Sequence, residues 1–288
     1  MSIPPHAAKP HIGQRIAQQY ADLSAQEQRV ASFILDHFDD LATFSAADLA
    51  RLTGVSKSTV SRLFKRLGFE SFASVKTHAR SLRALGVPLV TEGADGGEER
   101  FKRHVARETD NLSRLYAGLS SADFEAVVAA LDEARRVTLI GFRNSYPLAM
   151  HFRQQLVQIR DDVTLAPQPN QTLAEELVSL QAQDLVVVFG FRRRPQVFER
   201  LMALLAQRES RVLLIGDATA GDQARWASWW IECPLDSVSA FDSYASAMSL
   251  VCLLSNALLQ RRLAQGRARI DAISTLFDAL DELALPLS

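Results

Sequence analysis

The stretch from Ser56 to Leu67 carries the residues best placed to do chemistry. Read as a helix, it puts Val60, Leu63, Phe64 and Leu67 at i, i+3, i+4 and i+7, a spacing that makes one buried stripe. The opposite face then shows Lys57, Ser58, Thr59, Ser61, Arg62, Lys65 and Arg66, all hydrogen-bond donors and none acidic. A face of this kind suits a polyanion. In the major groove of DNA the first residues of such a helix reach base edges, while cations further along meet phosphates. Lys57, Ser58, Thr59 and Arg62 are therefore expected at base edges or groove-edge phosphates, and Lys65 and Arg66 at phosphates alone. Ser56, placed to cap the helix, and Ser61 complete the candidate DNA-contacting set.

A lone run of charge is more often a solvated helix face. Here the run comes with a turn and a cap. Thr53-Gly54-Val55-Ser56 links it to a preceding helix over Ala46–Leu52, with Gly54 free to take a positive φ and Val55 able to plug the gap between the helices. Gly68 ends the second helix. Residues 51–83 hold Arg51, Lys57, Arg62, Lys65, Arg66, Lys76, Arg80 and Arg83 against Glu70 alone, in a chain of net charge −1. One strongly basic segment in a mildly acidic protein points to a surface that meets an anionic partner.

Other chemistries are weakly represented. The two cysteines, Cys233 and Cys252, form no CxxC or Cys/His cluster, so no metal site is expected and both are read as buried free thiols. His6, His11, His37, His78 and His104 show no ligand spacing. His151, Glu175 and Glu176 are the nearest approach to an acid–base set, and no catalytic residue or cofactor is assigned. Trp226, Trp229 and Trp230 are expected to cover a sheet or an interface. There is no apolar run of membrane-spanning length and no signal-type N-terminus, which points to a cytoplasmic protein with no membrane partner.

The surrounding elements fall into three regions. Residues 1–83 read as a helical module. Its first 13 residues, with three prolines, are expected to be loosely attached. From Gln14 to Phe38 the apolar pattern is helical, with Val30, Phe33, Ile34, Phe38 and Leu41 on one face, and a Ser24/Glu27 capping box places a helix start at Ser24. Residues 84–119 are a linker rich in glycine (Gly86, Gly93, Gly96, Gly97, with Pro88) followed by a helix over Glu98–Leu119. Residues 120–288 alternate strands and helices. Strands are expected at Val137–Gly141, Val163–Leu165, Leu185–Gly190, Val212–Gly216 and Trp230–Cys233. Helices are expected at Ser145–Ile159, Thr172–Leu180, Gln196–Gln207, Asp222–Ser228 and Phe241–Leu263, with a helical tail over Arg267–Leu280. This alternation implies a doubly wound parallel sheet of about five strands with helices on both faces. Ligands of such sheets bind at the carboxyl ends of the strands, here the loops Gly141–Ser145, Ala166–Thr172 and Gly190–Pro195.

With these pieces in place, the chain resembles the RpiR/MurR family of bacterial regulators, over roughly residues 14–265. The stretch DLARLTGVSKSTVSRLFKRLGFESFASVK is the specific match; the C-terminal part matches in layout, with degenerate motifs. The resemblance implies an all-α helix-turn-helix domain joined to an α/β sugar-isomerase (SIS) domain that binds an effector. The family's GxGxS loop reads Gly141-Phe142-Arg143-Asn144-Ser145, with Arg143 at the second glycine. Its SxSGxT loop reads Gly190-Phe191-Arg192-Arg193-Arg194-Pro195, with Arg193 at the glycine. Losing the glycines and hydroxyls is expected to remove the compact phosphate cradle, while the arginines add forked donors for carboxylate or phosphate oxygens. Gly141, Arg143, Asn144, Ser145, Gly190, Arg192, Arg193 and Arg194 are thus the candidate effector residues. The resemblance implies a transcriptional regulator, more commonly a repressor. Its partners would be a double-stranded DNA operator, an anionic metabolite (a sugar phosphate or a carboxylate), and a second copy of itself in a homodimer or tetramer. The alternatives are a SIS-fold sugar-phosphate isomerase and a regulator whose SIS domain only oligomerises.

Overall fold

The computed structural model describes residues 12–36, 41, 44–85, 97–238 and 241–282, with side chains 14, 17, 36 and 80–85 excepted. Expectations on Phe38, on Arg80 and Arg83, on most of the linker and on residues 1–11 lie outside the described residues. The chain divides into two compact units, Met1–Phe101 with Ser237–Phe241, and Lys102–Asp236 with Asp242–Ser288.

The first unit is helical: α1 (Ile12–Gln19), α2 (Ala25–Asp36), α3 (Ala46–Thr53), α4 (Lys57–Arg66) and α5 (Phe72–Leu85), with the start of α6 (Gly97–Gly118). Ile12, expected in the loose N-terminal stretch, instead opens α1 and is fully buried with Ile16, Val30, Ile34, Leu49, Val60 and Leu63. The helical stretch expected from Gln14 is two helices, and the second starts where the Ser24/Glu27 box puts it. A short 3-10 turn at Tyr20–Asp22 and Leu23 separate them, because Ser24 starts a new helix. The Ser24 backbone N–H donates to Glu27 Oε2 (2.9 Å) and the Glu27 N–H to Ser24 Oγ (3.4 Å), which closes the expected capping box.

The second unit contains α7 (Ser121–Glu133), β1 (Val137–Gly141), α8 (Ser145–Val157), β2 (Val163–Ala166), α9 (Leu173–Leu177), β3 (Leu185–Gly190), α10 (Val197–Leu205), β4 (Arg211–Gly216), α11 (Gly221–Ala224), β5 (Trp229–Glu232), α12 (Ala245–Arg261) and α13 (Leu263–Leu280). The five strands form one parallel sheet in the order β2-β1-β3-β4-β5. Strand side chains alternate between faces. Val137, Leu139, Leu185, Val187, Phe189 and Leu213 point to a core shared with α7, α8 and α12. Ile140, Val186, Val188 and Leu214 point to the other core, against Phe198, Leu201 and Met202 of α10. Leu250, Val251, Leu254 and Leu258 of α12 are fully buried, each contributing about 1.5–3 kcal/mol of burial.

Three expectations need correction here. Helix α7 is additional to the expected elements, although Ser120 caps it by accepting from the Asp123 N–H (3.4 Å). Helix α12 starts at Ala245 and not at Phe241, since Ser243 Oγ accepts the Ala245 N–H (3.3 Å) and turns the preceding residues out of the helix. Cys252 is exposed on α12; only Cys233 is buried.

Candidate functional site

The nucleic-acid face is built by the α3–turn–α4 unit. Gly54 takes φ +65°, and its N–H and that of Val55 return to the carbonyls of Arg51 and Ala50 (3.4 and 3.0 Å), satisfying the last turn of α3. Val55 packs half-buried against the core. Ser56 Oγ then accepts the Thr59 N–H (3.2 Å) and starts α4. Gly68, at φ +81°, ends it in the same manner, with Phe69 N–H on the Phe64 carbonyl (2.9 Å) and Gly68 N–H on that of Lys65 (3.0 Å). Arg15 of α1 donates to the Leu67 carbonyl (2.8 Å) and lies over the Phe69 ring, tying α1 to this terminus.

Of the eight expected DNA contacts, seven are exposed: Ser56, Lys57, Ser58, Ser61, Arg62, Lys65 and Arg66. Thr59 is not. It is 2% exposed, with Oγ1 bonded to Ser56 Oγ (2.9 Å) and to Gln26 of α2 (3.4 Å). Its position beside Val60 turns it under the helix toward α2, so it is removed from the readers. Arg66 pairs with Glu27 at 3.6 Å, and the Ser24 backbone bond, followed by weaker attraction from Arg66 and Arg62, holds the Glu27 carboxyl below its ordinary range. A capping acid of α2 therefore also faces the end of the basic helix.

The second candidate site lies where the strand order reverses, between β1 and β3. This is the crevice at which open parallel sheets bind ligands. The loop after β1 leads into the N-terminus of α8, whose first residue, Ser145, is buried. Gly141 is required there: a Cβ would stand 2.5 Å from the Ser145 carbonyl oxygen. Gly190 at the end of β3 is equally confined, its Cβ falling 2.5 Å from Phe198.

Arg143 and Arg193, the residues at the two family glycine positions, take φ +53° and +69°. The left-handed turns that glycine would favour are therefore present, at a strain of about 1–2 kcal/mol each. The backbone turn is thus kept at both positions, and what differs from the family pattern is the side chain each turn carries.

The three consecutive arginines do three different things. Arg194 faces inward, with Nη1 on the Gly190 carbonyl (2.9 Å) and Thr219 Oγ1 (3.0 Å), and Nη2 on the Thr219 carbonyl (2.7 Å). Burial pushes its guanidinium below the ordinary value, and Asp217 at 3.4 Å partly restores it. Arg192 forms an ion pair with Asp242 (2.5 Å), both side chains nearly out of water. Arg193 has its Nε shielded from solvent without a hydrogen-bond partner among the described residues. Asn144 is hydrogen-bonded to Tyr244, whose hydroxyl is pushed up by burial and pulled back by Asn144, Arg192 and Arg193. Tyr244 also meets Phe191 edge-on, with ring centroids 5.5 Å apart. Asp242 and Tyr244 were missed by sequence reasoning. Their only local signal is a polar Asp-Ser-Tyr triplet ahead of a long apolar helix.

Of the residues weighed for catalysis, Glu175 is engaged in a helix cap. It closes a capping box with Thr172, accepting from its hydroxyl (2.8 Å). Among the described residues no group of His, Cys, Asp and Glu could hold a metal ion, and no helix is long and apolar enough to cross a membrane.

The two units define a class: a helix-turn-helix protein carrying a SIS domain. Residues 11–82 match the model of the helix-turn-helix domain of the rpiR family, and residues 130–257 that of the SIS domain. The chain belongs to the RpiR family and is a transcriptional regulator of that type. It is 24% identical over 227 residues to the HTH-type transcriptional regulator HexR of Pseudomonas aeruginosa, covering 77% of this chain and 78% of the relative. Among solved structures it is similar to Vibrio vulnificus NanR complexed with ManNAc-6P (17% identity, 96% of this chain and 100% of that one, TM-score 0.58). It is also similar to the sugar isomerase domain of an RpiR transcription factor from Sphaerobacter thermophilus (20% identity, 60% and 97% coverage, TM-score 0.57).

Proposed function

We propose that this regulator reads its operator with α4 and that an anionic metabolite bound at the β1–β3 crevice alters its operator affinity. The observation that carries the first half is the exposed face of α4, where every exposed side chain from Ser56 to Arg66 is a donor and none is an acid. Lys57, Ser58, Ser61 and Arg62 face base edges, and Lys65 and Arg66 phosphates. Ser56 serves as cap. The crevice is supported by the left-handed Arg143 and Arg193, by an Arg193 Nε that lacks a partner among the described residues, and by the N-terminus of α8. Gly141, Asn144, Ser145 and Gly190 shape it, and a sugar phosphate, the ligand class in the NanR complex, suits its charge. Residues 1–83, 84–119 and 120–288 serve as reader, connector and sensor in a cytoplasmic homodimer or tetramer that represses transcription. Two subunits supply the pair of half-sites that such operators present. Fluorescence anisotropy with genomic fragments tests this. Binding should weaken steeply between low and physiological salt and should change on adding the effector. Operator affinity that is equal with and without saturating effector rules out sensing.

One observation favours a second reading. Arg192 and Arg194 already have internal partners, as they would in a SIS domain that only assembles subunits. Calorimetric titration with phosphorylated and carboxylated sugars separates the two: a domain that only assembles binds none of them.

A further inference from the structure

We propose that Asp242 is the internal counter-ion of the crevice, a carboxylate that an anionic effector must displace to reach Arg192, and that it thereby sets which anions the site accepts. This inference rests on the effector reading above. The Arg192–Asp242 pair is 2.5 Å long, with the side chains 8% and 9% exposed. It sits among the residues that form the crevice. Tyr244, two positions after Asp242, is bonded to Asn144 and lies in the field of Asp242, Arg192 and Arg193 together. A carboxylate of the chain itself thus occupies donors that a ligand's carboxylate or phosphate would use, since a guanidinium offers the same fork to each.

Charge then discriminates between ligands. Arg192 is neutralised by Asp242 and Arg194 by Asp217, which leaves Arg193 and the exposed Arg143 to meet a ligand. A monoanionic ligand can be matched by Arg193 with the pair intact. A ligand whose oxygens reach Arg192 must first displace Asp242 from it. Buried and partly shielded, the pair gives up its geometry only to a partner that replaces every bond it loses. Asp242 therefore lowers affinity for all anions that compete for Arg192 and leaves weaker, singly charged ones unaffected. It acts as a specificity-determining residue that need not touch the ligand.

Calorimetric titration of the full chain with inorganic phosphate tests this. The Asp242→Asn variant should bind phosphate at least about tenfold more tightly than the natural protein, because the competitor is gone. The Arg193→Gln variant should lose binding. Removing one member of a buried pair can unfold a domain, so a second measurement uses the natural protein. The 15Nε resonance of Arg192 should shift when phosphate is added and its counter-ion changes. If Asp242→Asn and the natural protein bind phosphate equally, or fail to bind it, the counter-ion role is overturned. It is also overturned if the Arg192 resonance stays fixed while phosphate binds. Loss of binding in Arg193→Gln, where Asp242→Asn and the natural protein bind phosphate equally, leaves the effector crevice standing. Unchanged binding in Arg193→Gln overturns the crevice and the inference together.

Discussion

Replacing Arg194 by alanine should cost far more stability than replacing its neighbour Arg193, though the sequence presents them as equivalent. Arg194 is mostly buried and donates to two backbone carbonyls, those of Gly190 and Thr219, and to the Thr219 hydroxyl. Hydrogen bonds to a charged group contribute about 1.5–3 kcal/mol each. Burial of the guanidinium opposes this sum, as its lowered pKa shows. Deleting one member of a buried ion pair costs about 3–5 kcal/mol when the other is left alone. Asp217 is not left alone, because it still accepts the Arg192 N–H (2.9 Å) and the Thr219 hydroxyl (2.9 Å). The net cost of Arg194→Ala is therefore about 2–3 kcal/mol, below the bare-pair range. For a domain of this size that lowers Tm by roughly 4–12 °C. Arg193→Ala keeps the left-handed turn, breaks no side-chain hydrogen bond at Nε and should stay within about 0.5 kcal/mol. Urea unfolding followed by circular dichroism measures both. Equal losses in the two variants, or an Arg194→Ala loss under about 0.5 kcal/mol, would refute the assignment of Arg194 as a clamp between the β3 and β4 loops.

Three further outcomes are expected. Lys65→Gln should lower the salt-dependence slope of operator binding by about one per half-site with little change in sequence preference, whereas Arg62→Ala should relax preference by about 1–3 kcal/mol at one base pair; both are read from anisotropy titrations across salt and operator variants. Gly141→Ala drives a methyl into the Ser145 carbonyl, so it should destabilise the second unit by about 1–3 kcal/mol and weaken effector binding, measured by thermal unfolding and calorimetry. The Glu27 carboxyl has a folded pKa below its ordinary 4.5, so its contribution is full above that value and fades as pH falls through the lower folded value. Glu27→Gln should flatten the acid limb of the helical unit's stability curve as pH falls below the ordinary carboxyl value of 4.5.

The features legible in the sequence are the local ones. Gly54, Ser56, the Val60–Leu67 stripe and Gly68 are each dictated by neighbours within a few residues, and β1 and β3 end at glycines that a Cβ would jam. What could not be read depends on partners far along the chain. Thr59 looks like a reader because its periodicity is ambiguous; only Gln26, 33 residues earlier, shows which way it faces. Arg192, Arg193 and Arg194 look alike until Asp242, Thr219 and Asp217 are placed beside them. Helix α7 is hidden in the sequence because its apolar residues fit both a helix and an alternating α/β pattern. The start of α12 is misplaced there because Phe241 looks like core, yet it is 74% exposed.

The left-handed arginines have a consequence for how such sites diverge. Every arginine codon becomes a glycine codon by changing its first base. At Arg143 and Arg193 the chain already holds the turn that glycine would adopt, so that change should relieve strain while removing a guanidinium. A lineage can therefore pass between gripping an anion with side chains and gripping it with backbone amides one nucleotide at a time, without an unfolded intermediate on the way. Paralogues differing at these two positions would keep one architecture and answer to different metabolites.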